Sequence, residues 1–220
     1  MIWAHRGFTE GYPENSLESF DAAKRMGYYG IELDIHFLEE KGFIVAHDIP
    51  QKRRNNESYL LLETVFKRYR NQFYYWLDFK NLDLDKAEKS GKLLSQYIRS
   101  YALEGHVFVE STIAEALRKL KSTEPKIDTI FWLPKNLRNR FTLFQAKYYT
   151  VLSGADMISV PAKRADDIFF ENFSHLNLAI FTVNDPARAE YFFKKGVRII
   201  LTDRDMRSEF PSAYNIQPDL

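Results

Sequence analysis

Residues 30–35 read GIELDI, and this stretch determines how the rest of the sequence is interpreted. Successive side chains of a β-strand point to opposite faces, so Glu32 and Asp34 would share one face and the apolar residues the other. Two neighbouring carboxylates repel each other, and a hard divalent cation between them removes that repulsion. The alternatives are an acidic pair that ends a strand in water or pairs with an arginine. Polar residues at the ends of other strand-like runs favour the metal-binding interpretation of Glu32 and Asp34 over these alternatives.

Those other runs also end in groups that carry chemistry. They are IWA (2–4) before His5 and Arg6, FIVA (43–46) before His47, and LDFK (77–80), which holds Asp78 and Lys80. The carboxyl ends of parallel strands meet at one face of a barrel, and barrel enzymes keep their active sites there. We therefore expect all these side chains to converge on one site.

Strand-like and helix-like stretches alternate along the whole sequence, which is typical of parallel βα units. Nine strands are predicted: residues 2–4, 30–35, 43–46, 74–79, 107–110, 127–132, 156–160, 178–183 and 197–201. The first predicted helix begins near Asn15 or Ser16 and stops near Gly27, and the later ones span residues 84–103, 113–121, 137–152, 165–175 and 186–195. The prediction is an α/β fold, a TIM (β/α)8 barrel with an extra hairpin strand, 43–46, after the second barrel strand. Residues 1–220 are expected to form a single domain.

Composition narrows the possible functions. The formal net charge is +1 and cysteine is absent. A nearly neutral chain without a basic face argues against nucleic acid as a partner, and the lack of cysteine excludes disulfides and thiolate metal sites. His5 follows Met1 too closely for a signal peptide to precede it, and no apolar run approaches a membrane span. We therefore expect a cytoplasmic protein without stable membrane insertion; its oligomeric state is left open.

Four ordered motifs resemble the N-terminal signature of the glycerophosphodiester phosphodiesterase family. They are AHRG (4–7), PENSLESF (13–20), GIELDI (30–35) and VAHD (45–48). Weaker similarity continues through residues 77–80, 181–184 and 196–203. The family is similar in fold to the phosphatidylinositol-specific phospholipases C. The resemblance implies a TIM barrel that hydrolyses glycerophosphodiesters to glycerol phosphate and an alcohol.

The two histidines are the natural proton-transfer pair. Neutral imidazole works near pH 7, and two rings on opposite sides of a phosphorus supply a base and an acid. The resemblance implies that His5 is the general base and His47 the general acid, although the residues alone leave the order open. Arg6 can bind a phosphate oxygen with two parallel hydrogen bonds, and Lys80 can act on it as a point charge.

Glu32, Asp34 and Asp78 are the predicted metal ligands, and Mg²⁺ and Ca²⁺ both suit carboxylates. The family usually has glutamate where this chain has Asp78. The shorter side chain leaves three options open: direct ligation, ligation through water, and a salt bridge with Lys80.

Three further residues are assigned supporting positions. Glu14 is expected to support the metal site or to orient Arg6, and Asn15 is expected to cap the first helix, with Glu18 completing a capping box. Phe181 is expected to line the substrate pocket or to pack in the core; the family often has tryptophan there.

The substrate expected first is a small glycerophosphodiester. An alternative is the same chemistry on a glycerol-phosphate-containing surface polysaccharide or its precursor. This alternative rests on a short segment, residues 49–72, in place of the family's longer helical insertion, and on its basic run Lys52-Arg53-Arg54. A second alternative is a non-catalytic barrel that only binds phosphorylated ligands.

Overall fold

The computed structural model describes residues 1–49, 59–133 and 140–211. Strands and helices alternate in these ranges. The strands are β1 (Ile2–Ala4), β2 (Gly30–Leu38), β3 (Gly42–Val45), β4 (Leu60–Leu61), β5 (Tyr74–Phe79), β6 (Val107–Ser111), β7 (Asp128–Trp132), β8 (Met157–Pro161), β9 (Leu178–Phe181) and β10 (Ile199–Thr202). The helices are α1 (Leu17–Arg25), α2 (Leu62–Tyr69), α3 (Leu84–Tyr101), α4 (Ala114–Thr123), α5 (Arg140–Ser153), α6 (Asp167–Phe173) and α7 (Pro186–Lys194).

Eight parallel strands close into a barrel. Their order is β1-β10-β9-β8-β7-β6-β5-β2, and a pairing of β1 with β2 closes the ring. The first part of β2 pairs in parallel with β5, whereas its last part, from Ile35 to Leu38, pairs antiparallel with β3. The predicted barrel and its extra hairpin strand are therefore confirmed.

Segment 49–72 contains elements that the sequence did not predict. The two-residue strand β4 pairs antiparallel with β3, and α2 buries Leu62, Val65, Phe66 and Tyr69. Two predicted features lie outside the described residues: the basic run Lys52-Arg53-Arg54, and residues 137–139 at the start of the predicted helix 137–152, which corresponds to α5.

The start of α1 agrees with the second of the two predicted positions, Ser16. Ser16 is the N-cap: its side chain accepts a bond from the Ser19 backbone N–H, and the Ser19 hydroxyl accepts one from the Ser16 N–H. The predicted capping box of Asn15 and Glu18 is wrong, because Asn15 has φ +54° and its side chain points into the barrel mouth.

The interior has two apolar layers. Outward-facing strand residues pack against the helices, and a separate cluster fills the amino-terminal half of the barrel with Trp3, Trp76, Phe108, Ile130, Met157, Ala179, Ile199 and Leu201. Gly30 makes this filling possible, because a Cβ there would lie 2.1 Å from Cδ2 of Trp3. Polar side chains are therefore confined to the other end of the barrel. Among the helices of the described ranges, none combines the length and the apolar character needed to cross a bilayer.

Candidate active site

Three acidic side chains meet at the carboxyl end of the barrel. Glu32 and Asp34 project from the same face of β2, and Asp78 lies in register with Asp34 on β5. Each offers an oxygen within 4.8 Å of the other two, and the residues are only 2%, 1% and 9% exposed, respectively. The three predicted metal ligands are thus brought together, in a place where their charges are poorly screened by solvent.

Two cations surround Asp34. Lys80 Nζ lies 2.7 Å from Oδ1 of Asp34 and also pairs with Asp78, and Arg6 Nε lies 3.0 Å from Oδ2 of Asp34. Burial alone would raise the pKa of Asp34, but Lys80 and Arg6 lower it below its ordinary value. The salt bridge between Asp78 and Lys80, one of the options left open by the sequence, is present.

The negative charge of Glu32 is less well compensated than that of Asp34. Its carboxylate accepts a bond of 2.9 Å from the Arg6 backbone N–H, and the nearest ring nitrogen, Nε2 of His5, is 3.8 Å away. Burial, followed by the charges of Asp34 and Asp78, raises the pKa of Glu32 well above its usual range. Burial also raises the pKa of Asp78 despite the neighbouring Lys80. A cluster of this kind gains stability from an added cation.

Asn15 holds Asp34 in place. Its amide donates a bond of 2.7 Å to Oδ2 of Asp34, and its amide oxygen accepts one of 3.1 Å from the Asp34 backbone N–H. The residue is buried, and its positive φ is a conformation that asparagine adopts more readily than most residues. Asn15 is therefore a support for the acidic cluster rather than a helix cap.

Arg6 is oriented by its chain neighbours. Its Nη1 donates a bond of 2.8 Å to Oε2 of Glu14. Gly7, with φ +81°, lets the chain turn tightly here, because a Cβ would lie 2.4 Å from Oγ of Ser19.

The two histidines lie at different depths. His5 Nδ1 is 2.7 Å from Oδ1 of Asp203, whose other oxygen accepts a bond of 2.9 Å from Asn184. This contact leaves Nε2 of His5 directed toward Glu32. His47 follows β3 at the rim, where its Nδ1 is 2.9 Å from Oδ2 of Asp48 and its side chain is 39% exposed, against 17% for His5.

A cavity of about 210 Å³ joins these groups. One side is ionic and the other largely apolar. The lining comprises His5, Arg6, Glu32, His47, Asp78, Lys80, Glu110, Trp132, Phe181, Thr182 and Leu201. Phe181 lines this cavity and packs edge to face with Trp132, their ring centroids 5.4 Å apart. A second cavity of about 240 Å³ lies between α4 and α5, on the outer side of the barrel wall.

Sequence reasoning missed one residue of the cavity, Glu110. It lies in register with Asp78 on the next strand, is 3% exposed and pairs with the Ser159 hydroxyl. Burial, with a further contribution from Asp78, raises the pKa of Glu110 well above its usual range. The alternation of Phe108 and Glu110 could have indicated an inward-facing carboxyl.

Comparisons with known proteins agree with this geometry. A family model described as the Glycerophosphoryl diester phosphodiesterase family matches residues 5–58. The putative glycerophosphodiester phosphodiesterase YhdW of Bacillus subtilis is 25% identical over 92% of this chain and 93% of its own length. A glycerophosphodiester phosphodiesterase of Bacillus altitudinis is 36% identical over 30% of this chain and 27% of its own length.

Solved structures share the fold. A putative glycerophosphoryl diester phosphodiesterase from Silicibacter pomeroyi superposes with a TM-score of 0.75 at 17% identity, covering 94% of this chain and 91% of that one. An Oleispira antarctica phosphodiesterase, in complex with the product sn-glycerol-3-phosphate, has a TM-score of 0.69 at 15% identity and covers 96% and 97%. The fold is a TIM barrel similar to the barrels of these phosphodiesterases. The chain resembles the glycerophosphodiester phosphodiesterase family, in sequence over residues 5–58 and in fold over most of its length.

Proposed function

We propose that residues 1–220 act as one domain that hydrolyses small glycerophosphodiesters to glycerol phosphate and an alcohol, with the help of a divalent metal ion. One observation carries the proposal. Glu32, Asp34 and Asp78 have carboxylate oxygens within 4.8 Å of one another, and Glu32 and Asp78 line the same cavity as Arg6, Lys80 and the two histidines. These are the parts needed to bind a phosphodiester, to stabilise its developing charge and to transfer protons.

The residues present fit a hard divalent cation. Oxygen ligands suit Mg²⁺ and Ca²⁺, and Glu32 is a buried acid that lacks an ion pair with lysine or arginine among the described residues. Glu32, Asp34 and Asp78 would hold the ion, with Asp78 binding directly or through water. When bound, the ion supplies positive charge to a non-bridging phosphate oxygen.

Arg6 and Lys80 would bind the phosphate itself. Glu14 and Asp34 fix the guanidinium of Arg6, and Asp34 and Asp78 fix the ammonium of Lys80. Both charges are therefore positioned before the substrate arrives, so little reorganisation is needed as negative charge develops.

The different surroundings of the two histidines support an assignment of roles. Asp203 accepts the Nδ1 proton of His5, which leaves Nε2 free to take a proton from the attacking hydroxyl. His47, more exposed at the rim, is placed to protonate an alcohol that leaves toward solvent. The attacking group is either the neighbouring glycerol hydroxyl, which gives a cyclic phosphate first, or water, which gives glycerol phosphate directly.

The test is to incubate the protein with glycerophosphocholine or glycerophosphoethanolamine in the presence of Mg²⁺, Ca²⁺ or EDTA, and to monitor hydrolysis by phosphorus NMR. A transient cyclic phosphate distinguishes the two attacking groups. His47→Ala should lower kcat by about 10²- to 10⁴-fold, the usual contribution of general acid–base catalysis. His175→Ala is the matched control, because His175 is an exposed histidine that does not line the cavity.

The alternatives give other results. A glycerol-phosphate polysaccharide belongs in the same panel, and faster turnover of the polymer would replace the small diester as substrate. If glycerol phosphate binds but no diester is cleaved under any metal condition, the protein is a non-catalytic binding barrel and the proposal is wrong.

A further inference from the structure

Glu110 is a buried acid that the proposed reaction does not use. It projects into the cavity from β6 and is 3% exposed. Within the described ranges, no lysine, arginine or histidine nitrogen lies within 4.0 Å of its carboxylate. The hydroxyl of Ser159 donates a hydrogen bond to it, and the Trp76 indole and the charge of Lys80 also act to lower its pKa. Burial outweighs these contacts, so a further hydrogen-bond donor in the cavity would stabilise the carboxyl.

The position of the carboxyl separates it from the acidic cluster. Glu32, Asp34 and Asp78 come together without it. Ser159 lies on β8, two strands beyond β6, so the bond draws the carboxyl of Glu110 across the inner face of β7. Trp132 projects into the cavity from β7, and Phe181 packs against it.

Glu110 therefore lies at the boundary between two halves of the cavity. The ionic half holds Arg6 and Lys80, and the apolar half presents the rings of Trp132 and Phe181. A phosphate bound in the ionic half would direct one of its ester groups toward those rings. A hydroxyl on this ester group would find an acceptor in Glu110, and an unsubstituted alkyl chain would leave this acid buried without a new donor.

We propose that Glu110, positioned by Ser159, is the residue that selects substrates with a hydroxyl group close to the phosphate, such as the glycerol unit. This inference rests on the proposed function, because it takes the phosphate position from it. Sites built to bond a hydroxyl reject analogues that lack it far more strongly than apolar pockets reject an added group.

The experiment compares two phosphates of similar length by isothermal titration calorimetry at constant Mg²⁺. The probes are sn-glycerol 3-phosphate and propyl phosphate, which lacks both hydroxyls. Wild-type protein should bind the glycerol ester about 10- to 100-fold more tightly, the range of a hydrogen bond to an ionisable group. Glu110→Met should remove this preference and leave the affinity for propyl phosphate unchanged.

Two further variants keep the result interpretable. Glu115→Met removes an exposed acid from α4 that does not line this cavity and should keep the wild-type preference. Ser159→Ala keeps Glu110 but removes the hydroxyl that positions its carboxyl, and should weaken the preference for the glycerol ester. This variant serves as the test if Glu110→Met does not fold.

Equal weakening of the binding of both phosphates by Glu110→Met, together with loss of Mg²⁺ affinity, would make Glu110 a metal ligand and overturn the inference. An unchanged preference in both Glu110→Met and Ser159→Ala would overturn it as well, even if the wild type hydrolyses glycerophosphocholine. Wild-type protein that binds neither phosphate and cleaves no diester would contradict the proposed function itself.

Discussion

Replacing Asn15 by aspartate tests the architecture of the acidic cluster directly. The two side chains have nearly the same shape, and aspartate also tolerates a positive φ. In Asn15→Asp, however, the amide group that donates to Oδ2 of Asp34 over 2.7 Å becomes an oxygen. The substitution therefore converts a hydrogen bond into a contact between two carboxyl groups.

The size of the effect follows from this distance. Two full negative charges 2.7 Å apart would repel by about 6 kcal/mol at an effective dielectric constant of about 20. The folded variant can avoid this by binding one proton. For a carboxyl with an ordinary pKa of about 3.9, protonation at pH 7 costs about 4 kcal/mol. The smaller penalty applies, so we expect Asn15→Asp to lose about 4 kcal/mol of unfolding free energy at pH 7.

The loss must depend on pH, because the extra proton is bound in the folded state only. A folded-state pKa raised above the unfolded value gives stability that is present at low pH and lost as the pH rises. At pH 5 the same proton costs about 1.5 kcal/mol, so the deficit should shrink by about 2.7 kcal/mol between pH 7 and pH 5. Urea unfolding of the wild type and the variant in EDTA measures this difference.

The matched control is Asn15→Gly. Glycine accepts the positive φ and introduces no charge, but it removes both bonds to Asp34 and should cost about 2 kcal/mol at either pH. If Asn15→Asp and Asn15→Gly show the same pH dependence, residue 15 does not lie against Asp34 and the reasoning is refuted.

Three further predictions concern packing and metal binding. Gly30→Ala should lower the unfolding free energy by about 1–3 kcal/mol, because the new Cβ would lie 2.1 Å from Cδ2 of Trp3. Each kcal/mol corresponds to roughly 2–4 °C of melting temperature, so an unchanged melting temperature would contradict this. Gly91→Ala should instead stabilise by up to about 1 kcal/mol, since Gly91 lies inside α3 and its Cβ would meet Thr123 Cγ2 at an ordinary 3.4 Å; a lower melting temperature would be the wrong result. Mg²⁺ at about 100 times its dissociation constant should stabilise the wild type by about 2.7 kcal/mol. Glu32→Gln should abolish that gain without destabilising the metal-free protein, and calorimetric melting with Mg²⁺ or EDTA decides the matter.

The barrel could be predicted from the sequence because two signals indicate its strands. Each combines an apolar run with polar residues at its carboxyl end, and the period of two indicates which side chains share the inner face. Glu32, Asp34 and Asp78 were assigned to one site in this way, and the structure brings them together. The roles assigned to them, as to His5 and His47, stay predictions.

Contacts across the barrel could not be predicted in the same way. Asn15 stands directly before a helix, where asparagine commonly caps, and its bond to Asp34 joins two segments whose separation depends on the closed fold. Ser159 and Glu110 meet from strands that are not neighbours, so no local pattern connects them. The elements α2 and β4 were missed because the segment before them shows no sustained periodicity.

The apolar cluster in the amino-terminal half of the barrel also limits how molecules reach and leave the cavity. The side chains of that cluster, from Trp3 to Leu201, are each 2% exposed or less. The end of the barrel opposite the described polar groups is therefore shut by tightly packed rings and aliphatic chains. A molecule that enters the cavity must therefore leave through the same mouth of the barrel, past His47 at its rim. In the proposed reaction, product and substrate would use the same opening, and accumulated product would slow turnover.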